Sequence, residues 1–331
     1  MNKRLISVDC ARALCMLWII GFWNLKGYFV NPINCDDALS SNVTIGVLAT
    51  FTFISASFLG RSKIDNSSDV IDFYKKRVIR IYPLFLLSAV SLYLIHLLVG
   101  INYIDSLKQL ILTLLGLSSL LSYEPQTIWY IGMLISFYIF TPFVNRLVKP
   151  EKKIIFLTIG MIILVILNIF NIPSNNMLMY YPVYALGLVV AKKIDYSTKI
   201  NIWLLLFSII IFIICCLIKA NLNLFIINYI CMFALIYILI CIGKIIAQSK
   251  YVSNLLTLVS YSSMVAYLFH RQFFGGLEFI FGKYQVWFSY LVALPALILI
   301  SYWIQLLYDK LLKLNADKRT QKTVEEMGNN V

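Results

Sequence analysis

The ionisable residues that fall inside or at the edge of apolar runs are few, and they are where this chain has chemistry to offer. Asp9 and Arg12 open a run that stays nearly all apolar as far as Trp23 and Asn24. A charge in such a run is costly unless it is paired or faces a polar cavity. Three residues apart on a helix, Asp9 and Arg12 are neighbours and can pair. Positions 12 and 23 share one face, about 16 Å apart along the axis, whereas position 24 lies about 120° from Arg12 on an undistorted helix. A one-residue π-bulge would swing position 24 round towards Arg12. Arg77 and Arg80 share a face just ahead of another apolar run, beside Lys75 and Lys76 and with Pro83 in the first turns. Arginine forks there either bind phosphate groups or anchor the span and touch anionic lipid. His270 and Arg271 sit well inside a late run, where an ionisable group is a functional candidate. His270 changes charge near neutral pH; its competing role is a structural hydrogen bond to a neighbouring helix. His96, near the end of the third run, reads as structural.

The elements that must position these residues are membrane spans. The chain has 331 residues, 61% hydrophobic and only 13% charged, with a mean hydropathy of +0.84. A soluble domain does not cover that much apolar surface, so the fold class is all-α, a polytopic membrane helical bundle. The formal net charge of +13 invites a nucleic-acid partner, but the placement of the charges argues against one. Most Lys and Arg fall in short segments that a single topology puts on one side, which is positive-inside orientation. Apolar runs of about 20 residues lie near 10–30, 42–60, 79–100, 128–147, 154–172, 177–191, 200–218, 224–243, 256–275 and 286–308. An eleventh, 107–121, is shorter and is interrupted by Gly116, Ser118 and Ser119. If it crossed, the basic loop 146–153, Lys192, Lys193 and the basic tail would all face outward. The expectation is therefore ten spans, a re-entrant or surface-lying 107–121, and both termini cytoplasmic. Residues 1–309 form the bundle and 310–331 a basic, then polar, frayed cytoplasmic tail. The first run is full length and carries charge at its start, so it reads as a span rather than a signal peptide. Seven cysteines lie mostly inside apolar runs without metal-ligand spacing and read as packing residues; no metal is expected.

Taken in order, these stretches resemble the membrane acyltransferase-3 family. Its first span reads roughly Leu-Asp-x-x-Arg, ten apolar residues, then His; Asp9 and Arg12 match, while positions 23 and 24 hold Trp and Asn. The stretch from Phe51 to Gly60 (Phe-Thr-Phe-Ile-Ser-Ala-Ser-Phe-Leu-Gly) is similar to its Phe-rich Ser-Gly-Phe-Leu signature, though small residues there equally serve close helix packing. Arg77, Arg80, Ile81 and Pro83 resemble its Arg-x-x-Arg-Ile-x-Pro element. Trp129, Tyr130, Phe137, Tyr138 and Pro142 follow its aromatic span, with Trp129 and Tyr130 expected in the outer aromatic belt. Glu124 and Gln126, just ahead, meet either a hydroxyl acceptor or only solvent. The later run of Tyr180, Pro182 and Tyr184 down to Lys192 and Lys193 also looks like a family span. Val259-Ser-Tyr-Ser-Ser-Met-Val-Ala-Tyr-Leu-Phe-His-Arg271 is similar to its Ile-Ser-Tyr-Ser-x-Tyr-Leu-x-His, with two extra residues before Tyr267. Spans 200–218 and 224–243 carry no motif and read as packing or lipid-facing.

The resemblance implies an integral inner-membrane O-acyltransferase, moving an acyl group, acetyl by expectation, from acyl-CoA to a hydroxyl of a cell-surface glycan or glycolipid. Acetyl-CoA is then the co-substrate, and membrane lipid and the glycan acceptor are the partners. Arg12, oriented by Asp9, would stabilise the oxyanion, and Arg77, Arg80 and Lys76 would hold the donor's phosphates. Acyl transfer also needs a general base near the hydroxyl proton, and neither Trp23 nor Asn24 accepts a proton near pH 7. Either His270 or a carboxylate is the base, or the chain binds substrates without turning them over, or Asn24 marks the vacated site of an inactivated member. Two other classes remain open: a polytopic lipid or glycan transporter, and a catalytically inactive binding protein or scaffold. The absence of visible repeat symmetry and the short outer loops at 31–41, 220–223 and 276–285 count against the first.

Overall fold

The computed structural model describes residues 5–30, 37–196, 198–219 and 225–328. Lys3, Arg4, Cys35 and the outer turn expected at 220–223 lie outside them. The first span is α1 (Ile6–Trp18), continued by a π-turn over Ile19–Asn24 and a 3-10 turn over Leu25–Tyr28. Then come α2 (Ala38–Leu59), α3 (Ser67–Val99), the short α4 (Leu107–Leu114) and α5 (Trp129–Leu147). They are followed by α6 (Lys153–Asn168), α7 (Asn175–Val190), α8 (Ile202–Lys219), α9 (Phe225–Ile246) and α10 (Lys250–Phe281). A single turn, α11 (Val286–Phe288), and a π-turn lead into α12 (Leu294–Gly328). The helix thus runs on through most of the stretch expected to fray as a tail.

Among the described residues six helices are long and apolar enough to cross a membrane: Ile6–Tyr28, Ala38–Leu59, Ser67–Val99, Phe225–Ile246, Lys250–Phe281 and Val286–Lys313. The protein is a multi-pass helical membrane bundle. The other four expected spans are helical as well, as α5 to α8. At 16 residues, α6 and α7 reach about 24 Å, short of the roughly 30 Å hydrocarbon core.

Side-chain contacts give the helix directions. α1 and α10 run parallel: Asp9 meets Ser260, Asn24 meets Arg271, and Tyr28 accepts at its carbonyl from the Tyr284 amide. α5 runs against both α10 and α3, since Tyr267 bonds the Thr127 carbonyl and Tyr74 bonds the Ile139 carbonyl. The connection between α3 and α5 therefore starts and ends on one side, and the Gln126 amide bonds the Tyr103 carbonyl there. Between those points α4 dips into the bundle far enough for its Leu114 carbonyl to accept from Tyr82. Its eight residues span only about 12 Å, and the chain turns back to the side it left. Its backbone is satisfied inside protein, as such a segment requires: Ser136 Oγ donates to the Gly116 carbonyl, and the Ser174 amide to the Ser119 carbonyl.

Small residues set the closest approaches. α2 lies between α7 and α9, and a Cβ on Gly187 would come within 2.6 Å of Ala56 Cβ and 2.9 Å of the Phe53 carbonyl oxygen. A Cβ on Gly243 would run into the Ser7 carbonyl oxygen, so α9 presses directly on α1. Prolines inside helices free a carbonyl four residues back, and tyrosines fill two of these gaps. Tyr308 donates to the Ile79 carbonyl below Pro83, and Tyr229 to the Leu178 carbonyl below Pro182 at 3.2 Å. α6 and α8 expose most of their Ile, Leu and Phe side chains, the pattern of a lipid-facing rim, whereas α9 buries Met232 in the main core and Cys231 beside Cys215 of α8. Of the cysteines, Cys10, Cys15, Cys215, Cys231 and Cys241 are buried.

Candidate active site

A cavity of about 620 Å³ opens inside the bundle. α1 brings Asp9 and Arg12 to it, α3 brings Arg77 and Arg80, α5 brings Tyr130 and Tyr138, and α10 brings Ser260, Tyr261 and Tyr267. Four residues chosen on spacing alone, from two stretches nearly seventy positions apart, therefore share one space. Arg12 sits on a helix packed against α2, α9 and α10, yet its side chain is 37% accessible, because it faces this cavity. Asp9 Oδ1 lies 4.0 Å from Arg12 Nη1 and accepts from Ser260 Oγ at 3.1 Å. A buried carboxylate braced in this way holds a guanidinium in one orientation, which is what stabilising charge on a reacting oxygen requires.

α3 extends about three turns before its apolar run, and this carries Arg77 and Arg80 to the cavity. The protruding turns start cleanly because Asn66 and Asp69 form a reciprocal cap. Arg77 also lies over the Phe73 ring, 4.8 Å from its centroid. Lys76 points elsewhere: it is exposed and does not line the cavity, because one residue before Arg77 is about 100° round the helix. Of the three residues expected to hold the donor's phosphates, Arg77 and Arg80 line the cavity and Lys76 does not.

The first span does carry a π-turn. Over Ile19–Asn24 the helix widens, and one inserted residue removes roughly 100° of rotation, returning position 24 to within about 20° of Arg12's direction. Asn24 is nevertheless not in the cavity wall. Its Nδ2 donates to the Ile19 carbonyl at 2.8 Å, and its Oδ1 accepts from Arg271 Nη2 at 2.9 Å. His270 is outside the cavity wall as well. It is 1% exposed, with Nδ1 2.7 Å from the Tyr267 carbonyl oxygen and its ring between Tyr267 and Phe274. The structure thus gathers Asp9, Arg12, Arg77 and Arg80 at one end of the bundle, and Asn24, Arg271 and His270 in a separate layer. Among the residues lining the cavity Asp9 is the one carboxylate, and no histidine lines it.

Several residues take places that spacing alone did not indicate. Tyr130 is not in an outer belt: it is 4% exposed, bonds Thr52 Oγ1 at 3.1 Å and lines the cavity. Glu124 accepts from Ser174 Oγ and Asn176 Nδ2, each at 2.7 Å, and so ties the loop before α5 to α7. Phe51, Ser55 and Phe58 line the cavity while Ala56, on the other face of α2, packs on Gly187. The Phe- and Ser-rich stretch therefore serves both readings. The Ser-Tyr-Ser stretch of α10 divides likewise: Ser260 braces Asp9, Tyr261 bonds Asp309, and Ser262 turns back to its own helix.

Residues 5–306 match the acyltransferase-3 family model, described as an acyltransferase domain. The chain belongs to the acyltransferase-3 family. No curated protein and no solved structure matches it. Membership in the acyltransferase-3 family implies acyl transfer as the activity and an acyl donor as a substrate. The match runs from the start of α1 into α12 and so takes in every residue of the cavity wall.

Proposed function

We propose that this protein is an inner-membrane O-acyltransferase that takes an acetyl group from acetyl-CoA to a hydroxyl of a cell-surface glycan or glycolipid. One observation carries the reading: three arginines from two helices, with a single opposing carboxylate, line one cavity inside a membrane bundle. Uncompensated charge is too costly there to be idle, and the set suits a ligand with several negative charges at one end. Arg77 and Arg80 hold the donor's phosphates as charge-assisted forks. Arg12, braced by Asp9, faces the thioester carbonyl, where negative charge develops as the hydroxyl attacks, gives its proton to a base and displaces the coenzyme A thiol.

Ten crossings with both ends in the cytoplasm fit this use. The parallel course of α1 and α10 requires an even number of crossings from one to the other, as a non-crossing 107–121 provides. Arg61, which donates to the Ala191 and Ile194 carbonyls just past α7 at 2.9 and 2.7 Å, Arg77, Arg80 and Arg146 then gather at the cytoplasmic end. That is the side from which acetyl-CoA arrives.

A second reading has its own support. Asn24 stands one residue past the place where the family's first span holds its histidine, and its amide is engaged on both sides, by Ile19 and by Arg271. A chain so arranged binds donor without transferring it. Purified protein in lipid nanodiscs, given acetyl-CoA labelled in the acetyl group, separates the two. Transfer or hydrolysis supports the enzyme, and retention of intact donor supports the binder. If no donor binds at all, both readings fall.

A further inference from the structure

The cavity wall that α10 and α12 share is built for a different chemistry from the arginine wall. Tyr261 on α10 and Gln305 on α12 both line the cavity, and Asp309 stands behind them. The Tyr261 hydroxyl donates to Asp309 Oδ2, and Gln305 Nε2 donates to Asp309 Oδ1 at 2.9 Å. A phenol that has given its one proton to a hydrogen bond keeps only lone pairs to offer, and a glutamine amide anchored through one N–H keeps its carbonyl oxygen as an acceptor beside its second N–H. A carboxylate behind the phenol also polarises its oxygen into a better acceptor. This wall adjoins the arginine pair: Tyr308, next to Asp309, bonds the carbonyl of Ile79, next to Arg80.

We propose that Tyr261 and Gln305, held by Asp309, form a subsite that reads an N–H donor on the ligand whose phosphates Arg77 and Arg80 bind. The proposal rests on the acyl-CoA reading above and adds to it a second point of donor recognition. In acetyl-CoA the N–H groups belong either to the purine amine or to the two amides of the pantetheine arm, and the same acceptors suit both. Asp309 does not touch the ligand; it is a positioning residue.

Equilibrium binding to the full chain in nanodiscs tests this with three probes: acetyl-CoA, acetyl-4′-phosphopantetheine and adenosine 3′,5′-bisphosphate. Tyr261→Phe keeps the ring and its edge contact with Tyr302, so the fold stays intact, and Asp309→Asn tests the positioning role. Each is expected to weaken acetyl-CoA binding about tenfold, the value of one good hydrogen bond. Loss that extends to the bisphosphate but not to the phosphopantetheine assigns the subsite to the purine; the reverse pattern assigns it to the amides. If Tyr261→Phe leaves all three affinities unchanged while Arg77→Ala with Arg80→Ala removes them, the subsite is overturned and the donor reading stands. If the wild-type protein binds none of the probes, the donor reading itself is lost, and the subsite with it.

Discussion

At the scale of single residues, the cavity separates arginines that face a ligand from basic residues that serve the fold. Arg61 is spent on the carbonyls that end α7, whereas Arg77 and Arg80 face open space lined by aromatic rings. Losing charge-assisted bonds to phosphate costs roughly 1.5–3 kcal/mol each, so Arg77→Ala with Arg80→Ala is expected to weaken acetyl-CoA binding at low salt by at least a hundredfold. Lys76→Ala is expected to change it little, and an equal loss from Lys76→Ala would reverse that assignment. Position 24 has a sharper test. An imidazole placed there inherits the bond from Arg271, and a ring nitrogen already accepting from a guanidinium has no lone pair left for a substrate proton. Asn24→His alone is therefore expected to gain less transfer than Asn24→His combined with Arg271→Gln. A gain on the order of a hundredfold from the single change, the scale of one general base, would sink this account of Arg271. His270→Ala should lower thermal stability while leaving donor affinity unchanged, because His270 is buried outside the cavity wall.

Among the elements, α2 is the most constrained, pressed by α7 on one face and α9 on another while its aromatic face borders the cavity. The Gly187 contact decides how close α7 comes. A Cβ there meets a methyl at 2.6 Å and backbone oxygen at 2.9 Å, neither of which can swing aside. Gly187→Leu is expected to cost about 1–3 kcal/mol or more through overpacking, read as a fall in melting temperature in detergent. An unchanged melting temperature would mean that α2 and α7 are not held at this spacing. The π-turn in the first span is the other informative element. An apolar run of that composition gives no local reason to widen, and the turn exists where Asn24 bonds back to the Ile19 carbonyl and across to α10.

For the whole molecule, the directions of α1, α3, α5 and α10 and the re-entry of 107–121 lead to a topology that labelling can test. With native cysteines removed, Ser122→Cys is expected to react with an impermeant maleimide from outside, and Glu151→Cys only after the membrane is opened. Labelling of position 151 in intact cells would refute the ten-crossing arrangement.

Class and ordering were legible in the sequence because both depend on local quantities. Hydropathy over twenty residues marks a span, the placement of Lys and Arg orients it, and helical spacing puts Asp9 beside Arg12 and Arg77 on the face of Arg80. What spacing cannot express is which helices meet. That Ser260 braces Asp9, that Asp309 stands behind Tyr261, and that Arg271 occupies Asn24 all link positions between 48 and 251 residues apart. Those distances were closed by the packing of α1, α10 and α12. The same packing left His270 outside the cavity and drew Tyr130 from its expected belt into the wall, because the side of a helix that is buried depends on its neighbours.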